Sequence, residues 1–407
     1  LQAFGRWTAA LLDPLTGEER QIPVDHRAGD TRLPVTLAER QLTLLTLTPA
    51  AEDGPPPQPT PHPAARLIPL GWTAERTAPN AMTLDEASLS IDGAPFGAAQ
   101  PLHRIRETVA ALPEDGEHRA ELAFAFTVSP QADAPLSLSL GIERDALDGL
   151  WLDGQSLPLP GADAPHYFDR AIAAVPLGAV SAGAHRLTAR YRLETGKRQI
   201  DADFETLENC FCPRWEPECV YLLGEFSADA AVPTRVGGHY RVCRPADGSA
   251  PFVLAPPRPL HMGDLTAQGL WFYCGAVRAT AVLPNIGAGQ QAFLRLTGLH
   301  AAVATVQVGN GTPIPVIDDR APVPLTGLKG DGTDLITLTL YGSDRDLFGP
   351  HHHRAGELFF IGGNSFAGVY DWTDVFMPNL PSGRSTWDEA YSFVRFGAED
   401  AALLVTG

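Results

Sequence analysis

The sequence is short of positive charge. Its 407 residues carry 30 Lys+Arg against 48 Asp+Glu, a formal net charge of −18. A surface that acidic repels phosphate backbones, so nucleic acid is excluded as an expected partner. Long apolar runs are missing too. No stretch approaches the roughly 20 apolar residues that cross a bilayer, and no membrane partner is expected. Leu1–Ala10 lacks a charged segment followed by an apolar run, so it does not read as a signal peptide. Cysteine is scarce and odd in number, five in all, which argues against a disulfide framework. The compartment stays open: periplasmic or secreted behind an upstream export signal, cytoplasmic without one. Finally, no segment sustains a helical apolar stripe for three turns. Without alternating strands and helices there is nothing to build a catalytic (β/α) barrel.

What is present is β-sheet patterning. Hydrophobic residues make up 44% of the chain, and 37 Pro and 39 Gly are scattered through it, as many turns between short strands require. This length suits two or three domains. Residues 1–50 read as the tail of a preceding β domain, with strands at Trp7–Leu12 and Leu42–Leu47 around the turn Asp13-Pro-Leu-Thr-Gly17. Residues 51–64 are proline-rich and read as an extended linker. Residues 65–228 and 229–407 then read as two jelly-roll sandwiches of the galactose-binding-like kind. Ala120–Val128, Leu136–Leu140 and Arg186–Leu193 alternate with period two in the first, and Ala301–Val308 and Asp334–Tyr341 in the second. Short helical pieces are expected only near Pro176–Val180 and Thr386–Ala390. The fold class is therefore all-β.

A repeat underlies the two sandwiches. Leu136–Leu140, Leu152-Asp-Gly154 and Gly183–Leu187 are matched in order by Phe293–Leu296, Val308-Gly-Asn-Gly311 and Gly332–Ile336. Each copy reads as a strand, a tight turn with an Asn/Asp-Gly tip, a loop and a glycine-led strand.

Four phrases resemble the C-terminal part of large bacterial glycoside hydrolases of the α-L-rhamnosidase type, glycoside hydrolase family 106 and its relatives. They are Gly71-Trp72 with Asn80-Ala-Met-Thr-Leu-Asp85; Val220-Tyr-Leu-Leu-Gly-Glu-Phe226; Gly263-Asp-Leu-Thr-Ala-Gln-Gly-Leu-Trp-Phe-Tyr273 with Gly275; and Gly349-Pro-His-His-His353 with Gly356-Glu357. The resemblance implies a glycosidase whose barrel lies upstream on the same polypeptide. This chain would supply accessory, carbohydrate-contacting or scaffolding modules and would be inactive alone. The alternatives are a free-standing carbohydrate-binding or adhesion protein, and a complete small glycosidase with its site between the sandwiches.

The candidate residues follow from the chemistry of sugars. Glycoside hydrolysis needs two carboxylates across the bond, and Glu225 and Glu357 are the least anonymous; the competing reading is a carboxylate paired with Arg at a strand end. A sugar's C–H face stacks on aromatic rings. Of Trp72, Trp151, Trp215, Trp271, Tyr273, Trp372 and Trp387, the expected exposed set is Trp271, Tyr273 and Trp372. His351, His352 and His353 form a loop run suited to sugar hydroxyls or an interface. Cys210, Cys212, Cys219 and Cys243 lack zinc spacing and read as buried thiols. No cofactor is required. Asp318, Asp319, Asp331, Asp334, Asp344 and Asp346 sit on loops, where Asp331 and Asp334 suit a structural Ca2+, against the plainer reading of turn aspartates.

Overall fold

The computed structural model describes residues 1–12, 19–27, 29–35, 44–50, 65–113, 116–195, 197–199, 211–213, 215–317, 319–354, 366 and 387–406. The chain divides into two compact units, Leu1–Arg66 with Thr406–Gly407, and Leu67–Val405. In the smaller unit Trp7–Leu12 pairs antiparallel with Glu19–Ile22 and with Leu44–Pro49. Gln2–Phe4, Asp25–Arg27 and Asp30–Arg32 make a second three-stranded sheet. Its core is small, centred on Ala9, Ile22 and Leu33. Residues 51–64 and the turn at 13–17 lie outside the described residues.

The larger unit holds two sandwiches, and the strands that make up their shared pattern are numbered here in chain order. They are β1 (Ala65–Pro69), β2 (Thr73–Arg76), β3 (Asn80–Leu84), β4 (Glu86–Ile91), β5 (Glu117–Val128), β6 (Leu136–Glu143), β7 (Leu147–Leu152), β8 (Gln155–Ser156), β9 (Asp169–Val180), β10 (Gly183–Glu194), β11 (Val220–Gly224), β12 (Ala276–Val282), β13 (Gln291–His300), β14 (Val303–Val308), β15 (Ile314–Pro315), β16 (Val323–Pro324), β17 (Leu335–Tyr341) and β18 (Gly397–Thr406). The helices are α1 (Leu102–Ala110) and α2 (Asp344–Phe348).

The repeat is real at the level of topology. The first sandwich has one sheet containing the run β4-β5-β10-β7-β8 and another containing the run β9-β6-β11-β3. The second has β2-β12-β17-β14-β15, and β16-β13-β18 with β1 also paired to β18. Taken in chain order, the strands of one copy correspond to those of the other. Alternation explains why. In β10, Leu187, Ala189, Tyr191 and Leu193 turn inward, and in β17 Ile336, Leu338 and Leu340 do. Slipping either strand by one residue would put these side chains in water.

The copies are nested rather than consecutive, which corrects the expected division at 65–228 and 229–407. β1 pairs with β18, and β2 pairs with β12. The second sandwich therefore begins before the first, and the first is inserted between its second and third strands. Each has its own core. The segment Leu270–Tyr273 serves both: Trp271 and Phe272 pack in the first core, Leu270 and Tyr273 in the second.

Two local expectations are also corrected. Pro176–Val180 is not helical but ends β9, with Gly178 at φ 79° beside the register shift at Leu138/Ser139, a bulge. Residues 387–390 form no helix. The helix that does form, α1, buries Leu102, Ile105 and Val109. This i, i+3, i+7 stripe leaves His103 and Arg106 facing away from the core.

Candidate functional site

The four resembling phrases are far apart in sequence and meet in space. The Asn80 amide donates to Phe226 O and to Gly269 O, both at 2.9 Å, while its own oxygen accepts from Ala81 N at 3.0 Å. It thereby ties the first, second and third phrases together while buried. Thr83 Oγ1 donates to Leu347 O of α2 at 2.7 Å, and Thr266 Oγ1 accepts from Phe396 N at 2.8 Å. Buried polar groups with partners are retained at little cost; leaving one unpaired costs about 1–3 kcal/mol.

Asp85, which follows β3, is the centre of this junction. Tyr391 OH donates to its Oδ1 at 2.7 Å, and His352 Nε2 lies 3.2 Å from its Oδ2. The other His352 nitrogen, Nδ1, lies 2.8 Å from Asp388 O. A carbonyl and a carboxylate both only accept, so both ring nitrogens donate and His352 is an imidazolium. Burial opposes both charges. The imidazolium nevertheless holds Asp85 well below the usual carboxylate range, and Asp85 in turn raises His352. His351 is different. Its Nε2 donates to Asp346 O at 2.8 Å, and its Nδ1 is 3.7 Å from Asp85, too far for a hydrogen bond. Burial keeps it neutral. The loop reaches Asp85 because Gly349, at φ 90°, ends α2 in a conformation glycine favours. A Cβ there would sit 2.7 Å from His351 N.

A cavity of about 300 Å3 opens beside this junction. Leu102, Pro217, Phe348 and Pro350 give it apolar walls, and Trp387 stands with His352 stacked at 4.4 Å and His103 at 4.3 Å. Arg106 pairs with Glu216 at 2.9 Å. Glu218 is exposed at the rim, and partial desolvation of its carboxyl group, with the Glu143 and Glu216 charges, pushes it up to about 7. Burial lowers His103, which is therefore neutral at pH 7. Cys219, also in the wall, is raised by burial and by Asp85, so its thiol stays protonated.

The sequence singled out His351 and His352 but not Asp85, Tyr391, His103, Arg106 or Glu218. Asp85 closes a quoted phrase, and that was its only signal. The expected exposed platform does not hold. Trp271 is 2% and Tyr273 1% exposed; Trp271 packs edge-on against Tyr240 and Phe393, and Tyr273 OH donates to Ala276 O. Both lie at the junction of two cores, where large aromatics fill volume. Trp372 and Glu357 lie outside the described residues, as do Asp318 and Cys210. Glu225 is exposed and pairs with Arg76 at 2.6 Å. His353 is half-buried and bridges to Trp387. Asp334 Oδ2 accepts from Lys329 N and Gly330 N, Asp331 Oδ1 from Thr333 N and Oγ1, and Asp319 Oδ2 from Leu299 N. Asp331 and Asp334 thus cap turns, and Asp319 ties its loop to β13. Among the described residues no group of three or more His, Cys, Asp or Glu is arranged to hold a metal. Cys219 and Cys243 are free thiols.

No family model matches the chain, and no curated protein matches it. Among solved structures it is similar to a GH2 β-galacturonidase from Eisenbergiella tayi bound to galacturonate, at 11% identity and TM-score 0.25, over 67% of this chain and 38% of that one. It is similar to a rhamnosidase from Novosphingobium sp. PP1Y at 12% identity and TM-score 0.23, over 78% of this chain and 25% of that one. It is also similar to a β-glucuronidase from Ruminococcus gnavus in complex with uronic isofagomine, at 9% identity and TM-score 0.23, over 51% and 42%. The chain thus spans less than half the length of each.

Proposed function

We propose that these residues are the accessory sandwich portion of a glycosidase resembling the α-L-rhamnosidases, and that reaction chemistry belongs to a barrel upstream on the same polypeptide. The supporting observation is where the four resembling phrases converge. They stitch two jelly-rolls together through buried Asn80, Thr83, Asp85 and His352. The carboxylates nearest the cavity are committed to partners: Asp85 to Tyr391 and His352, Glu216 to Arg106. Among the described carboxylates that line the cavity Glu218 alone titrates near neutrality, and hydrolysis of a glycosidic bond calls for two acting together. In this reading the sandwiches brace the barrel and contact carbohydrate.

The test is turnover. The purified chain, incubated with a panel of nitrophenyl glycosides that includes the α-L-rhamnoside, is expected to release no more nitrophenol than a boiled control. Release above that control, abolished by Glu218→Gln, would replace this reading with that of a complete small glycosidase.

A further inference from the structure

The cavity beside Asp85 has an unusual charge arrangement. Its two cations are both neutralised, Arg106 by Glu216 at 2.9 Å and His352 by Asp85 at 3.2 Å. Two further lining groups, His103 and Glu218, have no hydrogen-bond partner among the described residues. A neutral imidazole offers one donor and one acceptor. A carboxyl group that gains and loses its proton near neutrality does the same. The walls between them are apolar: Leu102, Pro217, Phe348 and Pro350. At about 300 Å3 the space is at the small end of ligand sites, enough for a single ring rather than a chain.

We propose that this cavity is a subsite for one uncharged sugar ring, held by His103 and Glu218 over an apolar floor, and that it rejects uronates. The proposal rests on the carbohydrate-contacting reading above and names the ligand class for it. An uncharged pyranose has what the walls ask for: hydroxyls that both donate and accept, and a C–H face that packs on apolar carbon. A uronate would bring its carboxylate beside Glu216 and Glu218, and the two cations that line the cavity among the described residues, Arg106 and His352, are already paired. Carboxylates brought together repel, less strongly where water screens them. Glu218 acts as the discriminator, since it repels the anionic ring when ionised and donates to a hydroxyl when protonated.

Matched methyl glycosides test this on the whole purified chain. Methyl β-D-galactoside and methyl β-D-galacturonate differ only at C6, as do the glucoside and glucuronide; methyl α-L-rhamnoside is added as a deoxy ring. Binding is read by titration calorimetry and ligand-observed NMR at pH 7.5. At least one neutral member should bind about tenfold or more tighter than its uronate partner. His103→Ala should weaken neutral binding about tenfold. Glu218→Gln should hold the neutral ring and narrow the gap to the uronate. If His103→Ala misfolds by near-ultraviolet circular dichroism, His103→Gln takes its place.

Equal or tighter uronate binding would overturn the ligand class. Neutral binding unchanged in His103→Ala, with an unchanged gap to the uronate in Glu218→Gln, would overturn this cavity while leaving carbohydrate contact elsewhere on the chain intact. Failure of every glycoside to bind would overturn the carbohydrate-contacting reading itself, and this subsite with it.

Discussion

The two sandwiches share a strand order and differ in almost everything they show to water. On the first, β5 and β10 bring Glu121 opposite Arg190 and Arg119 opposite Arg192. Arg190 pairs with Asp148 and lies 5.0 Å over Trp151, while Arg186 lies 4.3 Å over Phe96. The matching face of the second carries a single charge along its middle strands, Arg278 of β12, opposite Thr339. Thr280 stands opposite Thr337, Thr305 opposite Thr339, and Val303 opposite Tyr341. The turns differ as well. In the first sandwich Asp92 and Asp153, at φ 52° and 50°, each use one oxygen to accept from a backbone N–H of the facing strand and the other to meet a histidine. The partners are Arg119 N with His118, and Arg186 N with His185. The corresponding turn of the second sandwich uses Gly309 and a Gln307 bond to Gly311 O instead. The inward alternation holds the topology, and the outward positions were free to diverge.

The comparison is broken most severely in the cores. Leu187 and Ile336 open equivalent inward rows, and both are fully buried. Leu187→Ala and Ile336→Ala should each cost about 2–5 kcal/mol. Hydrogen exchange should show the loss first in the sandwich carrying the change, with β1 and β2 following Ile336→Ala rather than Leu187→Ala. Protection lost in β1 and β2 with Leu187→Ala would contradict the nested pairing.

The junction sets a pH window. Asp85 is lowered in the folded chain, so its contribution is complete above the unfolded value of about 4 and is lost as pH falls. His352 is raised, so its contribution is complete below about 6.5 and is lost as pH rises through the folded value. Melting temperature should therefore plateau between about pH 4 and 6.5 and decline on both sides. Asp85→Asn should flatten both limbs; a profile unchanged by that substitution would remove the ion pair from the account.

A smaller effect belongs to the turns that the first sandwich alone possesses. Asp153→Ala and Asp92→Ala should each lower stability by about 0.5–1.5 kcal/mol, with Asn at either site recovering part of it. Smallest of all is Glu225→Gln. Its carboxylate is 70% exposed, and loss of a pair with so open a partner should change stability by less than about 1 kcal/mol. Chemical denaturation measures all three.

The sandwiches were legible because alternation is local. Leu136–Leu140 and Asp334–Tyr341 display their inward and outward faces within a few residues. The nesting was not, since β2 finds its partner β12 only after the whole first sandwich has intervened. The exposure of Trp271 and Tyr273 was misjudged for the same reason: what covers them comes from Tyr240, Phe393 and Phe396, none adjacent in sequence. Asp85 was invisible as a centre. Its partners His352 and Tyr391 lie 267 and 306 residues away, and a lone aspartate at a strand end carries no local mark of such company. Helix α1 could have been found, because Leu102, Ile105 and Val109 have helical spacing, though over too short a run to stand out.

The central claim is that the resembling phrases join two sandwiches into one block. Scanning calorimetry of His352→Ala tests it most directly. Removing the imidazolium leaves Asp85 buried without its counter-charge, at a cost of about 3–5 kcal/mol. The larger unit should then melt earlier and in two separated steps, one for each core, where the parent melts in one. A variant that melts like its parent, in one step at the same temperature, would contradict it.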